Sequence, residues 1–212
     1  LKRANLQLLL EYAWDSGAFT ATEALSVGLT RSTIIDLLDE LAGCGLVTEL
    51  PNAREDGSYQ KGRPARRFEF TADAGIVVGV DAGREHLTTT VSNLRGITIS
   101  SGQVEVDPGA DSPETRRALL RKVVTDQLST TRHTIDQVAA LCVGVPAPVD
   151  ARGTSPAHVE GFWQRTNPDF ATVFEDQVPI IRVENDALLA AVAEGSVGGG
   201  VDCSDFVTFL SG

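Results

Sequence analysis

The chain has 212 residues, of which 42% are apolar, enough for one large core or two modest ones. No apolar run approaches the roughly 20 residues needed to cross a bilayer, and the polar, amphipathic start does not read as a secretory leader. A formal net charge of -11 argues against nucleic-acid binding by the chain as a whole.

That charge is unevenly placed. Residues 1–72 hold 8 Lys and Arg against 10 Asp and Glu, whereas residues 73–212 hold 10 against 19. Between 54 and 67 the balance reverses, with Arg54, Lys61, Arg63, Arg66 and Arg67 against Glu55 and Asp56. This is a local footprint for phosphate, modest enough that tight DNA binding calls for a dimer. Cys44, Cys142 and Cys203 are far apart and form no Cys-x-x-Cys pair, so neither a disulfide framework nor a zinc site follows. A reducing cytoplasm fits, and the apolar neighbours of Cys44 and Cys142 suggest core thiols.

In chain order, Leu6, Leu9, Leu10 and Ala13 recur at helical spacing up to Gly17. Thr22 is placed to cap a short helix, Glu23 to Val27, closed by Gly28. Thr30 is placed to cap another, Arg31 to about Ala42, with Ile34, Leu37, Leu38 and Leu41 as its apolar face. Two short helices around a tight turn form the helix-turn-helix pattern, although any capped three-helix module shows similar periodicity. In that motif Thr30, Arg31, Ser32 and Thr33 would meet base edges or phosphates, while Asp36, one turn later, would repel phosphate if it faced the groove. Leu46 to Leu50 and Arg67 to Phe70 read as paired strands around a polar loop containing Gly57, Gly62 and Pro64. The hairpin is a wing carrying Arg63, Arg66 and Arg67, or else a solvated basic hairpin. Residues 1–72 are thus expected to be a winged helix-turn-helix.

From Ile76 the pattern changes. Ile76 to Val80 is a continuous apolar strand ending at Asp81-Ala82-Gly83. His86 to Ser92 and Ile97 to Val106 follow, joined by Asn93-Leu94-Arg95-Gly96. A helix is expected from Pro113 to about Thr131, and a buried strand from Ala139 to Val145, stopped by Pro146 and Pro148. A short helix over Asn167–Phe174, a strand over Ile180–Val183, a helix over Ala187–Glu194 and a strand over Phe206–Leu210 complete the series. Three strands followed by alternating helix and strand suggest an α/β fold, the first lobe of an actin-like, ribonuclease-H-like ATPase.

With these motifs in place, the chain resembles the ROK family of bacterial repressors and sugar kinases. The likeness rests on the helix-turn-helix, Gly62-Arg63-Pro64, Asp81-Ala82-Gly83, Gly144-Val145-Pro146, Asn167-Pro168 and Val183-Glu184-Asn185-Asp186-Ala187. It implies a ligand contact at Asn185 and Asp186, where an amide beside a carboxylate can bond adjacent sugar hydroxyls. Helix capping is the plainer role for that pair, and the two are compatible. The resemblance places another sugar contact at Asn167, which alternatively caps the next helix. Glu160 and Trp163 are candidates for the same cleft, Trp163 by stacking or simply as core. His158 reads as a solvated loop residue, and Gly198-Gly199-Gly200 as a turn without the Lys of a phosphate loop.

In ROK kinases the first turn is Asp-x-Gly-Gly-Thr. Here Arg84 and Glu85 replace the second Gly and the Thr, so the ATP site is expected to be lost and Asp81 to persist mainly as a strand-end group. The resemblance further implies that residues 73–212 are a first lobe, with the second lobe and its structural zinc outside this chain. No cofactor or metal is therefore assigned within it. The expected function is a sugar-responsive regulator, by family precedent a repressor, that binds a palindromic operator as a homodimer or higher homo-oligomer and answers to a sugar or sugar phosphate. The alternatives are a ROK-type sugar kinase with an added DNA-binding domain and a sensor-less dimerisation scaffold.

Overall fold

The computed structural model describes residues 2–51, 65–107 and 112–209. The chain forms two units, Leu1–Ala74 and Gly75–Gly212. Helix α1 (Lys2–Asp15) opens the first and buries Leu9 and Ala13, one turn apart on the same face. A two-residue strand, β1 (Phe19–Thr20), follows. The short helix over Glu23–Val27 is a 3-10 helix, and Thr22 makes no side-chain cap bond.

The cap is supplied by Thr20 instead. The Glu23 carboxylate accepts from the Thr20 amide at 2.7 Å and its hydroxyl at 2.9 Å, while the Glu23 amide donates to Thr20 Oγ1 at 3.3 Å. Thr20-Ala21-Thr22-Glu23 is a Thr-x-x-Glu capping box, which outcompetes a lone threonine next to the helix. Thr30 caps α2 (Arg31–Gly43) as expected, and the buried face is Ile34, Leu37, Leu38 and Leu41. Cys44, expected in the core, is exposed because it sits at the C-terminal cap, past the last inward-facing residue.

Strands β2 (Val47–Leu50) and β3 (Arg67–Phe70) close the unit in an antiparallel sheet of order β1-β3-β2. Phe68 lies opposite Phe19 on one side and Glu49 on the other. The Phe19 and Phe68 rings lie 6.3 Å apart, and Tyr12 meets Phe19 edge-on at 5.2 Å. The sheet is thereby pinned onto α1 through aromatic contact.

The second unit is built on a five-stranded sheet of order β6-β5-β4-β7-β8. Its strands are β4 (Ile76–Ala82), β5 (His86–Asn93), β6 (Thr98–Glu105), β7 (Val138–Val145) and β8 (Ile181–Asn185). β4, β5 and β6 run antiparallel, whereas β4-β7 and β7-β8 pair in parallel. The β5–β6 turn needs Gly96, whose φ is +76°, a conformation that a side chain resists. Asn93 Oδ1 completes it by accepting from the Arg95 and Ile97 amides.

Helix α3 (Pro113–Ser129) makes the crossover and covers one sheet face with Leu120, Val123, Val124 and Leu128. Ser112 caps it and Pro113 starts it. A short helix was expected over 167–174. Instead α4 spans Phe162–Thr166, and a 3-10 turn spans Phe170–Thr172. Pro168 explains the break, because the residue before a proline is steered away from helix. Helix α5 (Asp186–Val197) follows β8 directly. The expected final strand does not form over Phe206–Phe209, since a strand needs a ladder partner and this stretch has none among the described residues; Leu210 lies outside them.

Phe170 is fully buried and anchors the 167–174 segment in the core. Phe170→Ala is expected to cost about 3–5 kcal/mol, read as a lower urea midpoint for the second unit with an unchanged slope.

Candidate functional site

Two places concentrate polar groups, one in each unit. In the first unit they gather at the N-terminus of α2. The Thr33 amide donates to Thr30 Oγ1 at 3.3 Å, and the Thr30 hydroxyl lies 3.1 Å from Ser32 Oγ and 2.9 Å from Thr33 Oγ1. Arg31 Nη1 donates to Thr22 Oγ1 at 3.2 Å, which steers a cation over the helix start. Thr30, Arg31 and Ser32 are exposed and Thr33 is partly so. Hydroxyls, a guanidinium and the positive end of a helix make a surface suited to phosphate and base edges.

The hairpin arginines do not form one free set. Arg66, expected to track a phosphate backbone, spends its fork on Glu49 at 2.7 Å and Asp39 at 2.8 Å. Its guanidinium also lies 5.0 Å from the Phe68 ring centre. Hydrogen bonds, first to Glu49 and then to Asp39, hold its pKa well above the usual range. Arg66 therefore ties β2, β3 and α2 together. Arg67 is partly buried on β3 opposite Thr20 and Leu50. Arg63 lies outside the described residues.

In the second unit, parallel register places Asp81, Gly144 and Glu184 in one row across β4, β7 and β8. Beside that row is an open cleft of about 400 Å³, lined among others by Asp81, Thr88, Thr90, Cys142, Gly144 and Asp186. A Cβ on Gly144 would meet Leu189 Cδ1 at 3.2 Å, so α5 lies close over this strand. Partial enclosure pushes the Asp81 pKa up; His86 works against this and the Asp186 charge adds to it. Burial, followed by the Glu184 charge, raises the Cys142 thiol.

Asp186 is the first residue of α5, and its Oδ1 accepts from the Ala187 amide at 2.7 Å and from Asn185 Nδ2 at 3.2 Å. Asn185 caps the same helix by accepting from the Leu188 amide at 3.1 Å, and its Nδ2 donates to Ala147 O at 3.3 Å. Asn185 is thus occupied internally, whereas Asp186 opens onto the cleft. Asn167 is 5% exposed and ends α4; it does not cap the helical turn that follows, where Asp169 holds the N-cap position. Its Nδ2 donates to Gly153 O at 3.0 Å and Ser155 Oγ at 2.9 Å, while its buried Oδ1 has no partner among the described residues. Trp163 is half-buried, and His158, expected in solvent, packs on it at 4.6 Å. Glu160 is exposed.

Sequence reasoning missed Thr88, Thr90 and Cys142 as cleft residues, although strand alternation puts Thr88 and Thr90 on one face. It also passed over Arg116. This buried side chain donates to Gly83 O at 2.5 Å and to Ala82 O and Arg84 O at 3.4 Å. Three carbonyls of the turn after Asp81 are thereby held toward α3, a role that no local motif announces.

A carboxyl whose pKa is raised on folding favours the fold below its unfolded pKa, and that contribution is lost as pH rises through the folded value. Asp81→Asn is therefore expected to raise the melting temperature at pH 7. The gain should vanish at a pH below the normal aspartate range, as checked by parallel melts.

Residues 77–211 match the ROK family. A "Xylose repressor" of Caldicellulosiruptor bescii is 24% identical over 210 residues, covering 98% of this chain and 51% of the relative. A solved ROK family transcriptional regulator, named as a homolog of the E. coli MLC protein, superposes with a TM-score of 0.69 at 17% identity. It covers 95% of this chain and 50% of that one, which shows a common fold. The chain spans about half the length of the relatives it matches. With the match extending from the first buried strand of the second unit to beyond α5, the chain belongs to the ROK family.

Proposed function

We propose that this chain carries the operator-reading and effector-sensing parts of a sugar-responsive transcriptional repressor. The observation that carries the reading is the order of the two units. A helix tipped with Thr30, Arg31, Ser32 and Thr33 precedes a ROK unit with a largely apolar cleft into which Asp81 and Asp186 place two carboxylates. Similarity to a relative named for xylose repression runs through both units and favours a pentose as effector.

In this reading, residues 1–72 form a winged helix-turn-helix, with α2 as the helix that enters the major groove. Arg31 contacts a base or phosphate, and Ser32 and Thr33 add hydroxyl contacts. Arg66 acts indirectly by bracing the hairpin, and Arg67 and Arg63 are assigned to phosphate contacts. A homodimer reads two half-sites of a palindrome, doubling a modest electrostatic footprint. Residues 73–212 are the first lobe of an actin-like sensor. Asp186 and Asn167 take sugar hydroxyls, and Asn185 holds Asp186 in place. No helix among the described residues is long and apolar enough to cross a membrane; the protein acts in the cytoplasm. Arg84 and Glu85 stand exposed on the turn where a kinase would receive phosphate, so phosphoryl transfer is not part of this reading. Effector binding changes operator affinity only by its differential affinity for the DNA-competent state.

The test is fluorescence anisotropy with DNA from the protein's own promoter region at fixed salt, with and without D-xylose, D-glucose and their phosphates. One compound should shift operator affinity several-fold. Arg31→Ala should weaken operator binding about tenfold with the melting temperature unchanged, whereas Arg66→Ala should lower the melting temperature as well. Unaltered DNA affinity with every sugar, or sugar phosphorylation that is lost in Asp186→Asn, would overturn the reading.

A further inference from the structure

Helix α2 exposes one stripe of its surface opposite the core. Its buried residues are Ile34, Leu37, Leu38 and Leu41. Ser32, Asp36 and Asp39, at spacing i, i+4 and i+7, are exposed on the other side, with partly buried Ile35 beside them. A helix lying in a major groove reads bases with residues spaced in this way, starting from its first turn. Carboxylates stand along this part of α2 at Asp36, Asp39 and Glu40. Each would repel the phosphates of a duplex unless something engages it.

Two of these carboxylates are engaged within the protein. Arg66 Nη2 lies 2.8 Å from Asp39 Oδ1, and Lys2 Nζ lies 2.9 Å from Glu40 Oε2. Asp36 has no ion pair among the described residues. Lys2 and Asn5 line the open depression on its flank, but the Lys2 ammonium is taken by Glu40. Among the described residues, α2 therefore presents one carboxylate without a cation of its own, in the middle of the stripe that faces away from the core.

We infer that Asp36 is a specificity-determining residue that accepts a hydrogen bond from the amino group of a cytosine in the major groove. The assignment rests on α2 being the helix that reads DNA. Base edges decide which partner suits a carboxylate. Cytosine offers the N4 amino donor, whereas guanine offers the acceptors N7 and O6, and thymine the acceptor O4. Adenine couples its N6 donor to the N7 acceptor, which repels the second carboxylate oxygen. Arg31, at the helix start, suits guanine by the opposite logic. Asp36 stands five residues later, about 7.5 Å along the axis. At about 3.4 Å per base step, the two contacts fall about two base pairs apart.

The test is selection by the full chain from a pool of duplexes with a randomised core. Anisotropy at fixed salt then follows the selected duplex with each base pair changed in turn. One position should prefer cytosine over guanine or thymine about tenfold. Asp36→Asn should move the preference at that position to adenine, because a side-chain amide pairs with N6 and N7, and leave the other positions as they were. Asp36→Ala should erase the preference there and bind random-sequence DNA more tightly, since a negative charge has left the groove. Arg31→Ala should alter a different position, about two base pairs away. Both Asp36 variants should melt with the wild-type protein, as the side chain is exposed. An unchanged base preference in Asp36→Asn, or weaker binding of random-sequence DNA by Asp36→Ala, would overturn the assignment. A wild-type chain that enriches no sequence would defeat the reading of α2 as the DNA helix, and this assignment with it.

Discussion

Parallel pairing of β4 with β7, and of β7 with β8, is the constraint on which the second unit depends. It ends three strands at one edge and sets Asp81, Gly144 and Glu184 side by side. Parallel strands require crossovers, so chain leaves that edge in loops and helix starts, where polar groups are tolerated. The cleft follows from this arrangement. Asp81 lies one residue from the end of β4, Asp186 begins the helix after β8, and a glycine between them lets the helix approach.

The same logic explains how the polar groups divide their work. Those nearest the backbone stabilise structure: Asn185 caps α5, Arg116 gathers three carbonyls, and Arg66 joins two carboxylates across the first unit. Groups one step farther out remain open, notably Asp186 on the cleft and Arg31 with Ser32 on the helix tip. An excess of acid in the second unit is thus compatible with an exposed cation on the first. The chain's total charge is a poor guide to the local charge of either unit.

Much of this is legible in the sequence. The apolar runs at 76–80 and 139–145, the Leu-rich face of α2 and the Thr30 cap all reflect local chemistry, and they appear where expected. What the sequence did not reveal depends on distant partners. Arg66 meets Asp39 and Glu49, which lie 27 and 17 positions away, so nothing in its neighbourhood marks it as a brace. Helix α4 is a single turn, too short for periodicity to register. Phe206–Phe209 has the composition of a strand but no strand beside it among the described residues. Asn167 is singled out by resemblance, whereas its burial and its bonds to Gly153 and Ser155 emerge only from the fold.

Gly144 carries one more consequence. With no side chain there, α5 lies so close that a methyl group would have to move Leu189 by a few tenths of an ångström. Position 144 therefore acts as a spacer of zero thickness between sheet and helix. The width of the cleft is written in a residue that offers no polar group of its own. The spacing of sheet and helix can change at this position while Asp81 and Asp186 stay as they are, so the shape of the cleft and its charge are separable in this fold.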